Sequence, residues 1–321
     1  MAEVAGPPAG GGRADAGAGR RPLRGGVVAV GGVAVYGGIS WFFSEQLIAR
    51  KCASQPEATF ADFGLPQPED VAIASGTTRL AGWYFANPQR AGCAVILLHG
   101  FTGNRADVLI AAPLFWKRGC DLLVYDLRGH GQSSPGLFTY GVHDKEDELA
   151  AVDWLSRRAG LSVGQIGLMG WSYGAATSLQ AAAVRPEVAF VIADASFSSL
   201  TDIARVQAKA MFGSWAKLFV PGAMFVAGLR AGFDPTEASP AEAVRGLTTP
   251  VLLIHSTTDE FTPYQHSEAI YANSDHAHTW LELTRWAAPH AQSYATNPVA
   301  YEGIVDRFLA RFAPKFGRRP V

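Results

Sequence analysis

Ile166-Gly-Leu-Met-Gly170-Trp171-Ser172-Tyr173-Gly174-Ala-Ala-Thr-Ser-Leu-Gln-Ala181 is the stretch on which the reading of this chain turns. An apolar run gives way within a few residues to a run of small residues, so a strand, a sharp turn and a helix are expected in that order. Such a turn holds the Ser172 hydroxyl clear of the backbone. Gly170 and Gly174 fit for a steric reason: side chains there would collide with the strand and helix that close on the serine, whose own backbone is strained. With 35 glycines in 321 residues the pentapeptide alone carries little weight. Its partners elsewhere in the chain decide.

On either side of this segment, short apolar runs alternate with amphipathic stretches, the pattern of a mostly parallel sheet covered by helices on both faces, an α/β fold. Eight strands are expected, over 70–75, 80–86, 93–99, 121–126, 166–171, 188–194, 250–255 and 279–284. Helices are expected over 105–118, 144–158, 173–184, 264–273 and 298–312. Runs 94–98, 122–125 and 251–254 are continuously apolar, as strands buried on both faces must be. Function then belongs at their carboxyl ends. Asp144, Glu146 and Asp147 open one helix and read as complements of its positive end. Residues 200–235 break the alternation with Met211-Phe212, Trp215, Leu218-Phe219-Val220 and Met224-Phe225-Val226, a small helical cap expected to wall a substrate pocket.

Residues 1–24 are rich in Gly, Ala and Pro, with Arg13, Arg20, Arg21 and Arg24 as most of their charge, and are expected to be disordered. From 25 to 44 nothing is charged, and twenty helical residues span about 30 Å, the thickness of a bilayer core. A transmembrane anchor over 25–44 is therefore expected, against the counter-signal of Gly25, Gly26, Gly31, Gly32, Gly37 and Gly38. It reads as uncleaved, since no small-x-small site follows and Trp41-Phe42-Phe43 suits a membrane interface. Four arginines before it, against Arg50 and Lys51 after it, place the N-terminus in the cytoplasm and the remainder on the non-cytoplasmic side. Residues 45–65 read as a linker, 66–314 as the folded domain and 315–321 as a tail.

A net charge of -1 without a basic stripe on any helical face excludes a nucleic-acid partner. Cys93 and Cys120 each lie six residues before the ends of two runs expected to be neighbouring parallel strands. Two buried thiols are the expectation and a disulfide the alternative, because a bridge between adjacent strands needs unusual geometry.

A serine hydroxyl is a poor nucleophile until a base takes its proton, and the base needs an acid behind it to fix its tautomer. His290, in Ala288-Pro289-His290-Ala291 between the last strand and the final helix, is the candidate base. Asp259, just past the apolar run 251–254, is the candidate acid; Glu260 is expected to point away, and Asp194 is the rival. The oxyanion needs two fixed N–H donors. The Tyr173 amide follows the nucleophile, and the Phe101 amide lies in His99-Gly-Phe-Thr-Gly-Asn104, where the backbone can approach the site. His99 and His130 read as structural, and His266, His276 and His278 are too scattered for a metal site. No cofactor is expected.

Taken together, HGFTGN (99–104), DLRGHGQS (126–133), GWSYG (170–174), DASFSS (194–199), Ser239-Pro240 and TPVLLIHSTTDEFTP (249–263) make the chain, from about Pro66 to Pro314, resemble the α/β-hydrolases with a Ser, Asp, His triad in that order. Within that superfamily it is similar to membrane-anchored hydrolases of the Bem46 or ABHD13-like type. His255-Ser256 departs from the His-Gly often found there. The resemblance implies a serine hydrolase of ester, thioester or amide bonds, and with an apolar cap and an anchor the expected substrate is a small-molecule ester of an apolar acid. A peptidase acting on short peptides and a non-catalytic membrane-tethered binding protein are the alternatives. Oligomeric state is not legible from these residues.

Overall fold

Strand order in the sheet is β1-β2-β4-β3-β5-β6-β7-β8, with β1 (Glu69–Ser75), β2 (Thr78–Phe85), β3 (Ala94–Leu98), β4 (Asp121–Tyr125), β5 (Ile166–Trp171), β6 (Phe190–Asp194), β7 (Val251–Ser256) and β8 (Thr279–Thr284). This is a computed structural model, and it describes residues 23–52 and 59–317, the side chains of 23–31 excluded. The pairs β1/β2 and β2/β4 are antiparallel; every other neighbouring pair is parallel. The chain leaves β3 for β4 on one side and returns to β5 on the other, so the order reverses between β3 and β5. A crevice opens at the carboxyl end of such a switch point.

The helices are α1 (Leu23–Ile48), α2 (Pro113–Trp116), α3 (Asp144–Ala159), α4 (Tyr173–Val184), α5 (Leu200–Phe212), α6 (Val220–Ala231), α7 (Pro240–Ala243), α8 (Gln265–Asn273), α9 (Ser293–Thr296) and α10 (Pro298–Phe312). Side chains alternate across the sheet with period two. In β3, Ala94, Ile96 and Leu98 face the core under α3 and α4, while Val95 and Leu97 face the core under α2 and α10. Both cores are built of buried aliphatic and aromatic side chains, which explains the continuously apolar strands.

Several expectations are corrected. A single helix over 105–118 does not form: Asn104 Oδ1 accepts from the Ala106 amide at 2.9 Å, Asp107 Oδ2 accepts from the Asn104 amide at 2.9 Å, and Pro113 begins the four-residue α2. Local side-chain bonds and a proline compete with the helix ladder here. The cap over 200–235 is helical, as expected. Ser199 Oγ accepts from the Asp202 amide to start α5, Gly213 at φ 91° ends it, and a 3-10 stretch (Ser214–Phe219) leads into α6.

Residues 45–52 are not a linker. Helix α1 continues to Ile48, which is fully buried; the Phe138 amide donates to its carbonyl at 3.0 Å, and Tyr140 Oη donates to the Leu47 carbonyl at 2.8 Å. Phe60 packs against Trp83 and Phe85, while 53–58 lie outside the described residues. The expected disordered segment lies outside them up to residue 22; Leu23 and Arg24 are helical. Phe316 packs edge-to-face on Phe190, so the tail is packed at least to there, with 318–321 again outside the described residues.

The segment 25–44 is helical as expected, yet among the described residues no helix is long and apolar enough to cross a membrane. Its glycines dilute the hydropathy. The end of α1 packs instead on the cap, where a Cβ on Gly222 would come within 2.2 Å of Ser40 Oγ, and Arg230 bonds Glu45 at 2.5 Å. Cys93 and Cys120 are disulfide-bonded, not free thiols, with Cα atoms 4.7 Å apart. The register accounts for this: each precedes one member of the β3/β4 pair Ala94 and Asp121.

Candidate active site

The turn between β5 and α4 places Ser172 at φ 52°, a conformation that costs a non-glycine residue of order 1 kcal/mol or more and persists only where its surroundings enforce it. The two glycines are the enforcement. A Cβ on Gly170 would come within 2.3 Å of the Gly174 carbonyl carbon, and one on Gly174 within 2.6 Å of the Leu98 and His99 carbonyl oxygens. The Ser172 amide donates to the Asp194 carbonyl at 2.8 Å, tying the turn to β6.

His290 comes to this serine on the loop after β8. Its Nε2 lies 2.9 Å from Ser172 Oγ and its Nδ1 2.7 Å from Asp259 Oδ2. An ionised carboxylate can only accept, so Nδ1 carries the proton and the bare Nε2 faces the hydroxyl. Asp259 Oδ1 accepts from the Phe261 and Thr262 amides, both at 2.9 Å. His255 Nε2 donates to the Thr262 carbonyl at 2.7 Å and reaches Asp259 Oδ2 at 3.3 Å, while Ser267 Oγ, 2.6 Å away, donates to His255 Nδ1. Burial alone would raise the Asp259 pKa, but hydrogen bonds from His255 and His290 and the backbone outweigh it and hold the carboxyl well below the usual carboxylate range. This carboxylate is ionised and fully partnered.

The structure thus brings Ser172, Asp259 and His290 together. Asp194 is elsewhere: it is fully buried, accepts from Tyr301 Oη at 3.0 Å, and is pushed by burial up to about 7. Glu260 is exposed. His276 stacks on Tyr271 and His278 bonds Asp275, and among the described residues no three His, Cys, Asp or Glu side chains are grouped as a metal would need.

The Phe101 loop lies against the elbow, with a Cβ on Gly100 3.5 Å from Ser172 Cβ. Among the described residues neither the Phe101 nor the Tyr173 amide donates to a protein acceptor. Two histidines hold the loop. His99 Nδ1 donates to the Gly100 carbonyl at 2.8 Å while its Nε2 accepts from the Leu127 amide at 3.0 Å. His130 Nδ1 donates to the Arg128 carbonyl at 2.8 Å while its Nε2 accepts from the Thr102 amide at 3.2 Å. Burial depresses both to about 4, and for His130 the neighbouring His99 adds to this. Both rings are neutral, as their acceptor nitrogens require.

Two residues contribute to the site beyond what the sequence suggested. His255 supports Asp259, and its only signal is its place four residues earlier on β7. Asp144, read as a helix-end charge, accepts from Tyr173 Oη at 3.0 Å, from Thr139 Oγ1 at 2.6 Å and from the Gly141 amide at 3.0 Å. It thereby anchors the residue after the serine.

Two cavities meet at Ser172. One is narrow, about 90 Å³, and lined mainly by apolar groups such as Phe43, Leu47, Phe197, Ala204 and Ala208. The other, about 580 Å³, is more polar and is bounded by Gly103, Asp107, Gln292 and His290. Arg50 and Phe101 border both.

Residues 94–237 match the family model described as the alpha/beta hydrolase fold. The uncharacterized protein YqkD of Bacillus subtilis is 32% identical over 230 residues, 70% of this chain and 74% of YqkD. The α/β hydrolase domain-containing protein WAV2 of Arabidopsis thaliana is 24% identical over 257 residues, covering 77% of this chain and 80% of that one. Among solved structures, the esterase Pf2001 of Pyrococcus furiosus superposes with a TM-score of 0.66 at 23% identity, over 82% of this chain and 99% of the esterase. At that identity the likeness speaks for the fold.

Proposed function

Because this chain belongs to the α/β-hydrolase fold family, we propose that it is a serine hydrolase working through an acyl-enzyme, with carboxylic esters or thioesters of apolar acids as substrates. The observation that carries this reading is the continuous hydrogen-bonded line from Ser172 Oγ through His290 to Asp259, at 2.9 and 2.7 Å. His290 Nε2 takes the hydroxyl proton as Ser172 Oγ attacks the carbonyl carbon. The oxyanion is held by the Phe101 and Tyr173 amides, whose N–H groups have no competing protein acceptor among the described residues. Asp259 stabilises the imidazolium. The bond from the carbonyl carbon to the leaving oxygen or sulfur breaks, and the leaving group takes the proton from Nε2. Water, deprotonated by the same nitrogen, then attacks the acyl carbon, the bond from that carbon to Ser172 Oγ breaks, the proton returns from Nε2 to Oγ, and the acid departs.

The narrow apolar cavity favours an alkyl or aryl acyl group over a peptide, whose amides would lose hydrogen bonds there. A membrane setting with the catalytic domain outside the cytoplasm also belongs to this reading. It is supported by the disulfide, which persists in oxidising compartments, and by exposed Trp41, Phe42, Trp215 and Leu218 on α1 and the cap.

Fluorophosphonate labelling followed by peptide mass spectrometry tests the core of the reading. The adduct is expected on the Ser172 peptide of the wild type and absent from Ser172→Ala and His290→Ala, with ester turnover reduced by about 10⁴-fold or more in each variant. A folded wild type that neither labels nor hydrolyses any ester would return the chain to the binding-protein alternative.

A further inference from the structure

The narrow cavity is framed by two helix faces. On α5 its lining is Leu200, Ile203, Ala204, Gln207, Ala208 and Met211, a single stripe at helical spacing that starts fully buried at Leu200 and ends 45% exposed at Met211. On α1 it is Phe43, Gln46 and Leu47, again one face, with Arg50 just past the end of the helix. The two run in opposite senses: Arg50 borders Phe101 at the serine end, and Phe43 meets Phe212 at the outer end, with ring centroids 4.9 Å apart. Between them the α5 stripe carries alanine at 204 and 208, where any larger side chain would fill the gap.

We propose that the groove between α1 and α5 is the acyl-chain channel of this enzyme, that Ala204 and Ala208 set its bore, and that Phe43 against Phe212 sets its length. The N-terminal helix is then a wall of the substrate site and not only a tether. This rests on the hydrolase reading and names the substrate class within it: unbranched acyl chains of medium length. From Leu200 to Met211 the stripe rises about 16 Å at 1.5 Å per residue. An extended alkyl chain, with C–C bonds of about 1.5 Å, advances about 1.25 Å per carbon, so the channel holds about thirteen carbons. Ala208 lies about 12 Å along it and Ala204 about 6 Å, at 1.5 Å per residue. A bulky residue at each point blocks the channel at a different chain length.

The test is a kcat/KM profile of the full chain on p-nitrophenyl esters from acetate to palmitate, kept below their micellar concentrations, with fluorophosphonate labelling run alongside. The wild type is expected to peak near ten to twelve carbons, by the same rise per residue. In Ala208→Phe the ratio of laurate to butyrate turnover falls at least about tenfold, and in Ala204→Phe the optimum moves to butyrate or shorter. Should either overpacked variant fail to fold, Phe43→Ala reads the other end of the channel and raises palmitate relative to laurate. A labelled, active wild type whose profile is flat, or is unmoved in the folded variants, overturns the channel and leaves the hydrolase reading standing. Absence of both label and turnover overturns the two together.

Discussion

At the scale of single residues, the site depends on how completely each polar atom is committed. Asp259 accepts from two amides and two imidazoles, so replacing it by asparagine leaves the geometry but favours the wrong His290 tautomer; Asp259→Asn is expected to lower kcat by about 10⁴ with KM little changed, read by steady-state kinetics. His255→Phe removes one of the four donors and is expected to cost about tenfold in kcat, since it acts through Asp259 and touches no substrate. The loop histidines carry a pH prediction. His99 and His130 are neutral in the fold with pKa values near 4, below the unfolded value near 6.5. Folded values below unfolded ones mean that the unfolded chain binds more protons, so the stability these rings contribute is present above pH 6.5 and is lost as pH falls towards 4. Tm should decline over that window, and His130→Gln should flatten the decline. Ser172, Asp259 and His290 were legible because turn and strand-end composition marks their positions. His255 and Asp144 were not, because their roles depend on which way a strand and a helix turn their side chains toward a neighbour.

At the scale of elements, the β3/β4 pair shows what register decides. Eight strands were legible from apolar runs, but the bond between Cys93 and Cys120 follows from the parallel register that sets Ala94 against Asp121, which no run of apolar residues encodes. Closing a loop of 27 residues' separation stabilises the fold by about 3 to 4 kcal/mol in the chain-entropy account, so the double variant Cys93→Ala, Cys120→Ala should lower Tm by roughly five to seven degrees in a calorimetric scan. The helix expected over 105–118 failed for the opposite reason. Its apolar period is genuine, but Asn104 and Asp107 bond the local backbone, and the resulting turn lays the Phe101 loop against the serine.

At the scale of the whole molecule, buried acids oppose the histidines. Glu148 is fully buried, with one oxygen accepting from Ser178 Oγ and the other unpartnered among the described residues; burial pushes it up to about 8. Here the folded value lies above the unfolded one, so the stability of keeping it neutral is present below about pH 4.5 and is lost as pH rises toward 8. Glu148→Gln should flatten the alkaline decline of Tm, measured between pH 5 and 8. Composition could not reveal that the end of α1 packs on the cap and core, because an uncharged run of twenty residues reads the same whether it meets lipid or protein. A Cβ on Gly222 would collide with Ser40, and this close approach joins α1 to the cap helix α6. If α1 walls the acyl channel as proposed, trimming that helix would open one side of the channel to water and change the chain-length selectivity. On that proposal, changes in the helix would act as changes to the substrate site.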